Sequence, residues 1–279
     1  MIGCGLMGSG IAEVSARAGL EVVVVEGDDA LAERGRARIV ASLDRGASKG
    51  KLTEAERDEA RDLIEVTSDI GAVEACDLVI EAVAEDEEVK LPVFRQLDEV
   101  VKDEGAVLAS NTSSLPIMKL AMATERPGSV VGIHFFNPVP VQPLVELVPS
   151  LLTSDATLAG AGSYAERLGK QVITSKDRAG FVVNALLVPY LLSAVRMLES
   201  GFASAEDIDR GMVLGCAHPQ GPLALSDLVG LDTLHHVAES LYEEFREPHY
   251  APPPLLSRMV DAGLLGRKSG RGFHDYAGR

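Results

Sequence analysis

The sequence predicts an α/β domain followed by an all-helical domain. Three observations carry that prediction. Short Val/Ile/Leu-rich runs alternate with charged helical stretches up to about residue 175, only helical patterns dominate beyond it, and a glycine-rich turn opens the chain. The runs 22–26, 78–82, 107–110 and 130–134 are nearly continuous in apolar residues, as strands covered on both faces must be. Between them, 8–18, 29–44, 53–64 and 89–101 carry helical spacing. Strands alternating with helices imply βαβ units and a parallel sheet. Further on, 181–198, 204–214, 222–245 and 254–262 read as helices, separated by turn signals at 199–201, 218–221 and 252–254. The segment 272–276 reads as a short strand. The texture changes between 174 and 180, which divides the chain into domains 1–177 and 178–279.

The chain has 279 residues, enough for one large domain or two ordinary ones. Apolar residues at 46% and charged residues at 24% exclude global disorder. Aromatics are 4% with no Trp, so the core is aliphatic. Lys plus Arg number 26 against 42 Asp plus Glu, a net charge of −16. Such a surface repels nucleic acid and anionic membranes and argues against both as partners. Cys4, Cys76 and Cys216 are too far apart for a metal spacing and read as structural thiols. They suit a reducing cytoplasm, and residues 1–20 lack a signal-peptide pattern. The apolar run 181–198 contains Asn184, Pro189, Tyr190, Ser193 and Arg196, so it reads as a buried helix and not a membrane span.

Gly3, Gly5 and Gly8 form GCGLMG, a GxGxxG pattern running into a helical stretch, and Glu26 ends the next strand 18 residues beyond Gly8. This is the arrangement of a Rossmann-type dinucleotide-binding turn. Gly3 permits the tight turn, Gly5 lets backbone approach the pyrophosphate, and Gly8 permits close helix packing. The helix end at Leu6 and Met7 offers free N–H groups and a positive dipole to phosphate. Glu26 would accept the ribose hydroxyls and repel a 2′-phosphate, favouring NAD over NADP. Only Met1 and Ile2 precede Gly3, whereas a strand of about five residues is expected there. The first strand therefore reads as largely missing, through a misplaced start or a trimmed chain, with its neighbours left short of ladder partners.

A second group of polar residues follows strand ends, which face the ligand crevice in a parallel sheet. SNTSSL runs from Ser110 to Leu115, and VGIHFFNPV places His134 at the end of another strand. Glu146 lies twelve residues later among Leu and Val, where a carboxylate needs a partner. A His–Glu pair would orient the imidazole, fix its tautomer and suit it to general base or acid work. Ser113 could equally be a helix N-cap. His218, His235, His236, His249 and His274 read as structural or surface residues.

These motifs resemble the L-3-hydroxyacyl-CoA dehydrogenases, including bacterial 3-hydroxybutyryl-CoA dehydrogenases. The resemblance spans essentially the whole chain through GCGLMGSGIA, VIEAVAED, SNTSSL, HFFNPVP, LVELV, AGFVVN, HPQGPLALSDLVGLD and GRKSGRGFHDY. It implies an NAD enzyme that oxidises (S)-3-hydroxyacyl-CoA to 3-oxoacyl-CoA. His134 would take the hydroxyl proton and Glu146 would hold the imidazole. Ser113 and Asn184 would bind the substrate oxygen. Ala82, Glu85, Lys90, Asn111 and Asn137 match positions lining the cofactor site. Ala185 departs from the Arg common in the family, and Gln142 from a frequent Met. The resemblance also implies that the basic island RGASKGK receives coenzyme A phosphates, with Lys49 and Lys51 as contacts, and that the helical domain forms a homodimer. Two other readings stay open: an NAD enzyme for a non-CoA hydroxy acid, resembling a gulonate dehydrogenase, and a non-catalytic relative resembling a crystallin.

Overall fold

The computed structural model describes residues 1–277, which fall into two compact units, 1–178 and 179–277. In the first unit, α1 (Leu6–Arg17) leads to β1 (Val22–Val25), α2 (Asp29–Ser48), α3 (Glu54–Asp62) and β2 (Ile64–Thr67). Then come β3 (Leu78–Glu81), α4 (Glu87–Val100), β4 (Val107–Ser110), α5 (Ile117–Ala121) and β5 (Val130–Phe135). The unit closes with β6 (Leu144–Pro149), α6 (Asp155–Arg167) and β7 (Gln171–Thr174).

Side-chain caps explain where these helices begin. Asp28, Thr53, Asp86 and Ser154 each accept a hydrogen bond from a first-turn amide, and Thr53 with Glu56 completes a capping box. β4 and β5 are buried along their whole length, as their continuous apolar runs require. Ile11, Val24, Ile39, Leu43, Ile80, Ala109, Val131, Ile133 and Leu147 belong to one aliphatic core beneath the helices.

β1 pairs in parallel with β2, and β3-β4-β5-β6-β7 form the other run of strands. Ile2 bridges in parallel to Val25 on one side and Glu81 on the other. Residues 1–3 therefore do supply ladder partners to both neighbours. Ile2 N–H donates to the Ile80 carbonyl, Ala82 N–H to Ile2, Val25 N–H to Met1 and Gly3 N–H to Val25. Below this short segment, Met1, Val22, Val23, Leu78 and Ile80 line a cavity of about 630 Å³.

The sheet departs from the wholly parallel expectation. β6 runs antiparallel to β5, with His134 opposite Glu146, and β7 then pairs in parallel with β6. A connection from Phe136 to Pro143 is too short for a parallel crossover, so the chain must turn back beside β5. The expected helix 53–64 also stops earlier. It ends at Asp62, and Ile64–Thr67 leaves it as a strand.

The second unit contains α7 (Val183–Glu199), α8 (Ala205–Cys216), α9 (Pro222–Val229), α10 (Leu231–Phe245) and α11 (Pro254–Asp261). The stretch 222–245, expected as one helix, is two. Gly230 adopts φ +100, a conformation open to glycine, and breaks it. Leu191, Leu192, Val195, Leu223, Leu231, Leu234, Ala238, Leu241 and Leu256 form a core separate from that of the first unit. The expected strand 272–276 contributes only an isolated bridge, Arg271 to Asp275. Its backbone is held instead by Asp227, 1% exposed, which accepts from Phe273 N–H, His274 N–H and the Tyr276 hydroxyl. No helix among the described residues is long and apolar enough to cross a membrane.

The opening glycines can be separated by substitution. A Cβ on Gly8 would lie 2.0 Å from the Gly3 carbonyl oxygen, whereas a Cβ on Gly5 would meet nothing within 4 Å. Gly8→Ala is expected to destabilise the chain by about 1–3 kcal/mol and Gly5→Ala by only about 0.5 kcal/mol. Denaturant unfolding of the two variants measures the difference, and equal losses would contradict it.

Candidate active site

The glycine-rich turn is built as an anion receptor. Gly3 holds φ +85 with the Ala82 carbonyl where a Cβ would sit. Gly5 precedes α1 without any side chain of its own, so the first-turn amides stay open. Gly8 packs the helix directly on the turn. A cavity of about 600 Å³ opens here, lined on one side by Gly3, Gly5, Leu6 and Met7. Glu26 closes one end. Its Oε1 accepts from Cys4 N–H at 2.6 Å and its Oε2 from Gly27 N–H at 3.2 Å, which fixes the carboxylate at the tip of β1. Ala82, Glu85, Lys90, Asn111 and Ser113 line the rest.

Beyond β3 the cavity wall is a network of buried charge. Glu81, fully buried at the end of β3, accepts from Lys90 Nζ at 2.6 Å, Val83 N–H at 2.6 Å and Ser110 Oγ at 2.7 Å. Lys90 Nζ also lies 3.3 Å from Glu85 Oε2. Glu85 Oε1 accepts from the Thr112 hydroxyl at 2.6 Å and from Ser113 and Ser114 N–H at 2.8 and 3.1 Å. The Ser113 and Ser114 hydroxyls face the same oxygen at 3.3 and 3.1 Å. Burial pushes the Glu85 carboxyl up, but Lys90 and the donors of Thr112 and Ser113 outweigh it and hold the carboxyl below the usual range. Ser113 caps no helix, because α5 starts after Pro116. Its expected alternative role is thus replaced by the bond to Glu85.

Asn111 joins this network to the next strand. Its Oδ1 accepts from Phe135 N–H at 2.9 Å, which leaves its amide donors for the cavity. One residue earlier, His134 Nδ1 lies 2.7 Å from Glu146 Oε2. The two are register partners across β5 and β6, 5% and 0% exposed. The Phe136 ring meets the imidazole edge-on at 4.6 Å between centroids. Nδ1 therefore carries the bond to the carboxylate, and Nε2 is directed away from it.

The structure thus gathers Gly3, Gly5, Leu6, Met7, Glu26, Ala82, Glu85, Lys90, Asn111 and Ser113 around one cavity, with Gly8 behind the turn. Other expected residues lie elsewhere. Asn137 is exposed in the loop after β5 and does not line the cavity. Asn184 stands half-buried in the first turn of α7, within the second unit. The basic island is mostly helix: α2 runs on to Ser48, Lys49 is its C-cap, and Lys49 and Lys51 are exposed away from the cavity wall. Glu81 was not among the expected residues. A carboxylate inside the apolar run LVIEAV, with a lysine nine residues on, is the signal that marks it.

The residues present fit a dinucleotide. Open amides at the N-terminus of a 12-residue helix suit a pyrophosphate, and Glu26 at the end of β1 suits ribose hydroxyls.

Two family models match the chain: the NAD binding domain of 3-hydroxyacyl-CoA dehydrogenase over residues 1–178, and its C-terminal domain over residues 180–276. A 3-hydroxybutyryl-CoA dehydrogenase of Mycobacterium tuberculosis is 62% identical over 277 residues, covering 99% of this chain and 97% of that protein. Among solved structures, M. tuberculosis FadB2 superposes with TM-score 0.97 at 62% identity, covering 99% of this chain and 97% of the other. (S)-3-hydroxybutyryl-CoA dehydrogenase PaaH1 from Ralstonia eutropha superposes with TM-score 0.93 at 48% identity, with the same coverage.

Because folding holds the Glu85 carboxyl below its unfolded value of about 4.3, its contribution is complete above that pH and is lost as the pH falls through the lowered value. Protection of the Ser113 and Ser114 amides from hydrogen exchange, taken relative to their intrinsic rates, should fall as the pH drops through that window. Glu85→Gln should abolish this pH dependence, and a variant that kept it would assign the effect to another group.

Proposed function

The chain belongs to the 3-hydroxyacyl-CoA dehydrogenase family and oxidises (S)-3-hydroxyacyl-CoA to 3-oxoacyl-CoA with NAD; we propose that His134 is the base of this step. The observation that carries the proposal is the buried His134–Glu146 bond of 2.7 Å, set across two paired strands. Glu146 accepts the Nδ1 proton and so commits the imidazole to one tautomer, with Nε2 as the atom that takes the substrate hydroxyl proton. As positive charge develops on the ring, the Glu146 carboxylate opposite stabilises it. In the reverse direction the same nitrogen returns the proton.

NAD, when bound, supplies the hydride acceptor at C3. Gly3, Gly5, Leu6 and Met7 would receive its pyrophosphate, Glu26 its adenosine ribose, and Glu85, Lys90, Asn111 and Ser113 its other half. Ser113 is a substrate-oxygen ligand in this reading, with Asn184 as the second. A donor at that oxygen stabilises alkoxide character as the proton leaves. Glu85 holds the Ser113 backbone N–H at 2.8 Å, so the residue is positioned before substrate arrives, and its hydroxyl, 3.3 Å from Glu85, turns its one proton to the substrate oxygen. Lys49 and Lys51, exposed at the end of α2, are proposed contacts for the coenzyme A phosphates. Asn137 is a proposed outer contact of the cofactor.

We also propose a homodimer formed through the helical unit. Leu186, Phe202 and Leu214 are 73%, 79% and 72% exposed there, a concentration of large apolar side chains that a second copy would cover. The three unbridged cysteines support the cytoplasm as the compartment.

His134→Ala should lower kcat for acetoacetyl-CoA reduction by about 10²–10⁴-fold with NADH binding unchanged. NADH absorbance measures this, and an active His134→Ala variant would remove His134 as the base. In the same assay, Lys49→Ala with Lys51→Ala should raise KM for the acyl-CoA but leave KM for NADH as it was. Sedimentation of the full chain at micromolar concentration should give twice the chain mass, and a single-chain mass would overturn the dimer.

A further inference from the structure

Glu81, Lys90 and Glu85 together hold two carboxylates and one ammonium. Glu81 and Lys90 are 0% and 1% exposed, and Lys90 is the one cation among the described residues that pairs with either carboxylate. The remaining partners of both acids are neutral: Val83 N–H, the Ser110 hydroxyl, and the amides and hydroxyls of residues 112–114. The cluster therefore keeps one net negative charge, shielded from water except on the side where Glu85 reaches the cavity. A charge in such surroundings acts over several ångströms with little screening.

Its position in the cavity gives that charge a target. Residues 1–3 pair with β1 on one side and β3 on the other, so Glu26 after β1 and Glu85 after β3 flank the turn that leads into α1. The adenosine ribose belongs beside Glu26 and the pyrophosphate at the open amides of α1. The nicotinamide half is then left to the end lined by Glu85, Asn111 and Ser113. The nicotinamide ring carries a positive charge when oxidised and none once it has accepted a hydride. The two redox states differ at this end by one unit of charge.

We propose that the Glu81–Lys90–Glu85 cluster discriminates between the redox states of the cofactor, favouring NAD⁺ over NADH through its residual negative charge. Glu81 does not line the cavity, so it acts through Lys90 and Glu85 as a positioning and electrostatic residue. Stabilising the cationic ring shifts the bound equilibrium towards oxidised cofactor and hydroxyacyl substrate. The inference rests on the NAD reading above and on the orientation that Glu26 imposes.

Glu81→Gln and Glu85→Gln each bring the cluster to neutrality while keeping the side-chain shape. Dissociation constants of the full-length variants would be measured for NADH by fluorescence and for NAD⁺ by calorimetry. Both variants should raise the NAD⁺ to NADH ratio of dissociation constants by about three- to tenfold. The effect should be smaller for Glu81→Gln if Lys90 re-pairs with Glu85. Glu85 is 23% exposed, so its variant carries the test should the fully buried Glu81→Gln fail to fold. A purely structural role would weaken both cofactors by the same factor, and that result, or an unchanged ratio, overturns the proposal. A wild-type chain that binds neither cofactor overturns the NAD reading itself and this inference with it.

Discussion

An ionised carboxylate taken out of water must be met by donors, or its desolvation costs several kcal/mol. That constraint organises the first unit of this protein. Glu81 ends β3, Glu85 follows it before α4 and Glu146 lies within β6, and each draws the neighbouring chain into one geometry. Glu81 ties the end of β3 to Ser110 at the end of β4 and to Lys90 on α4. Glu85 gathers the turn of Thr112, Ser113 and Ser114 around a single oxygen. Glu146 fixes His134 across the adjoining strand. Lys90, Ser113 and His134 are held by these acids.

The helical unit solves its own problem in the same way. Asp209 accepts from Leu223 and Ala224 N–H at the start of α9, and His274 Nε2 lies 2.8 Å from it. Asp227 takes the backbone amides of Phe273 and His274. A Cβ on Gly272 would lie 1.9 Å from Asp227 Oδ1, so glycine is required where this strap passes the carboxylate. The GRKSGRGFHDY motif is explained by backbone contact with Asp227. His218, His235 and His274 are held by Tyr190, Ser257 and Asp209, which accounts for them structurally.

Much of this could be read from the sequence where a local pattern and a local cause coincide. GCGLMG and Glu26 stand out because turn, helix start and strand-end acid recur at one spacing. Glu146 stands out because an acid is costly between Leu and Val. What stayed hidden depends on geometry the chain reaches only by folding. Ile64–Thr67 and Leu144–Pro149 are short, and their role as strands is decided by β1 and β5 beside them. Gly230 lies in a continuous helical pattern, and its φ of +100 decides the break. RGASKGK contains no residue that stops α2 before its C-cap Lys49, so the helix expected to end at 44 runs on to Ser48. Glu81 lies within VIEAVAED, but its partners are Ser110, 29 residues on, and Lys90 on another element.

The separation of partners along the chain has a kinetic meaning. His134 and Glu146 are twelve residues apart and meet within one antiparallel hairpin. Glu85 and Ser113 are 28 residues apart and meet only after a helix and a strand have been laid between them. Closing a short loop forfeits less chain entropy than closing a long one, and hairpins form in microseconds. The acid–base pair is therefore a product of early, local folding, while the pocket wall that would orient cofactor against it condenses later. A full-length chain refolding would own the base before it owns a place to use it.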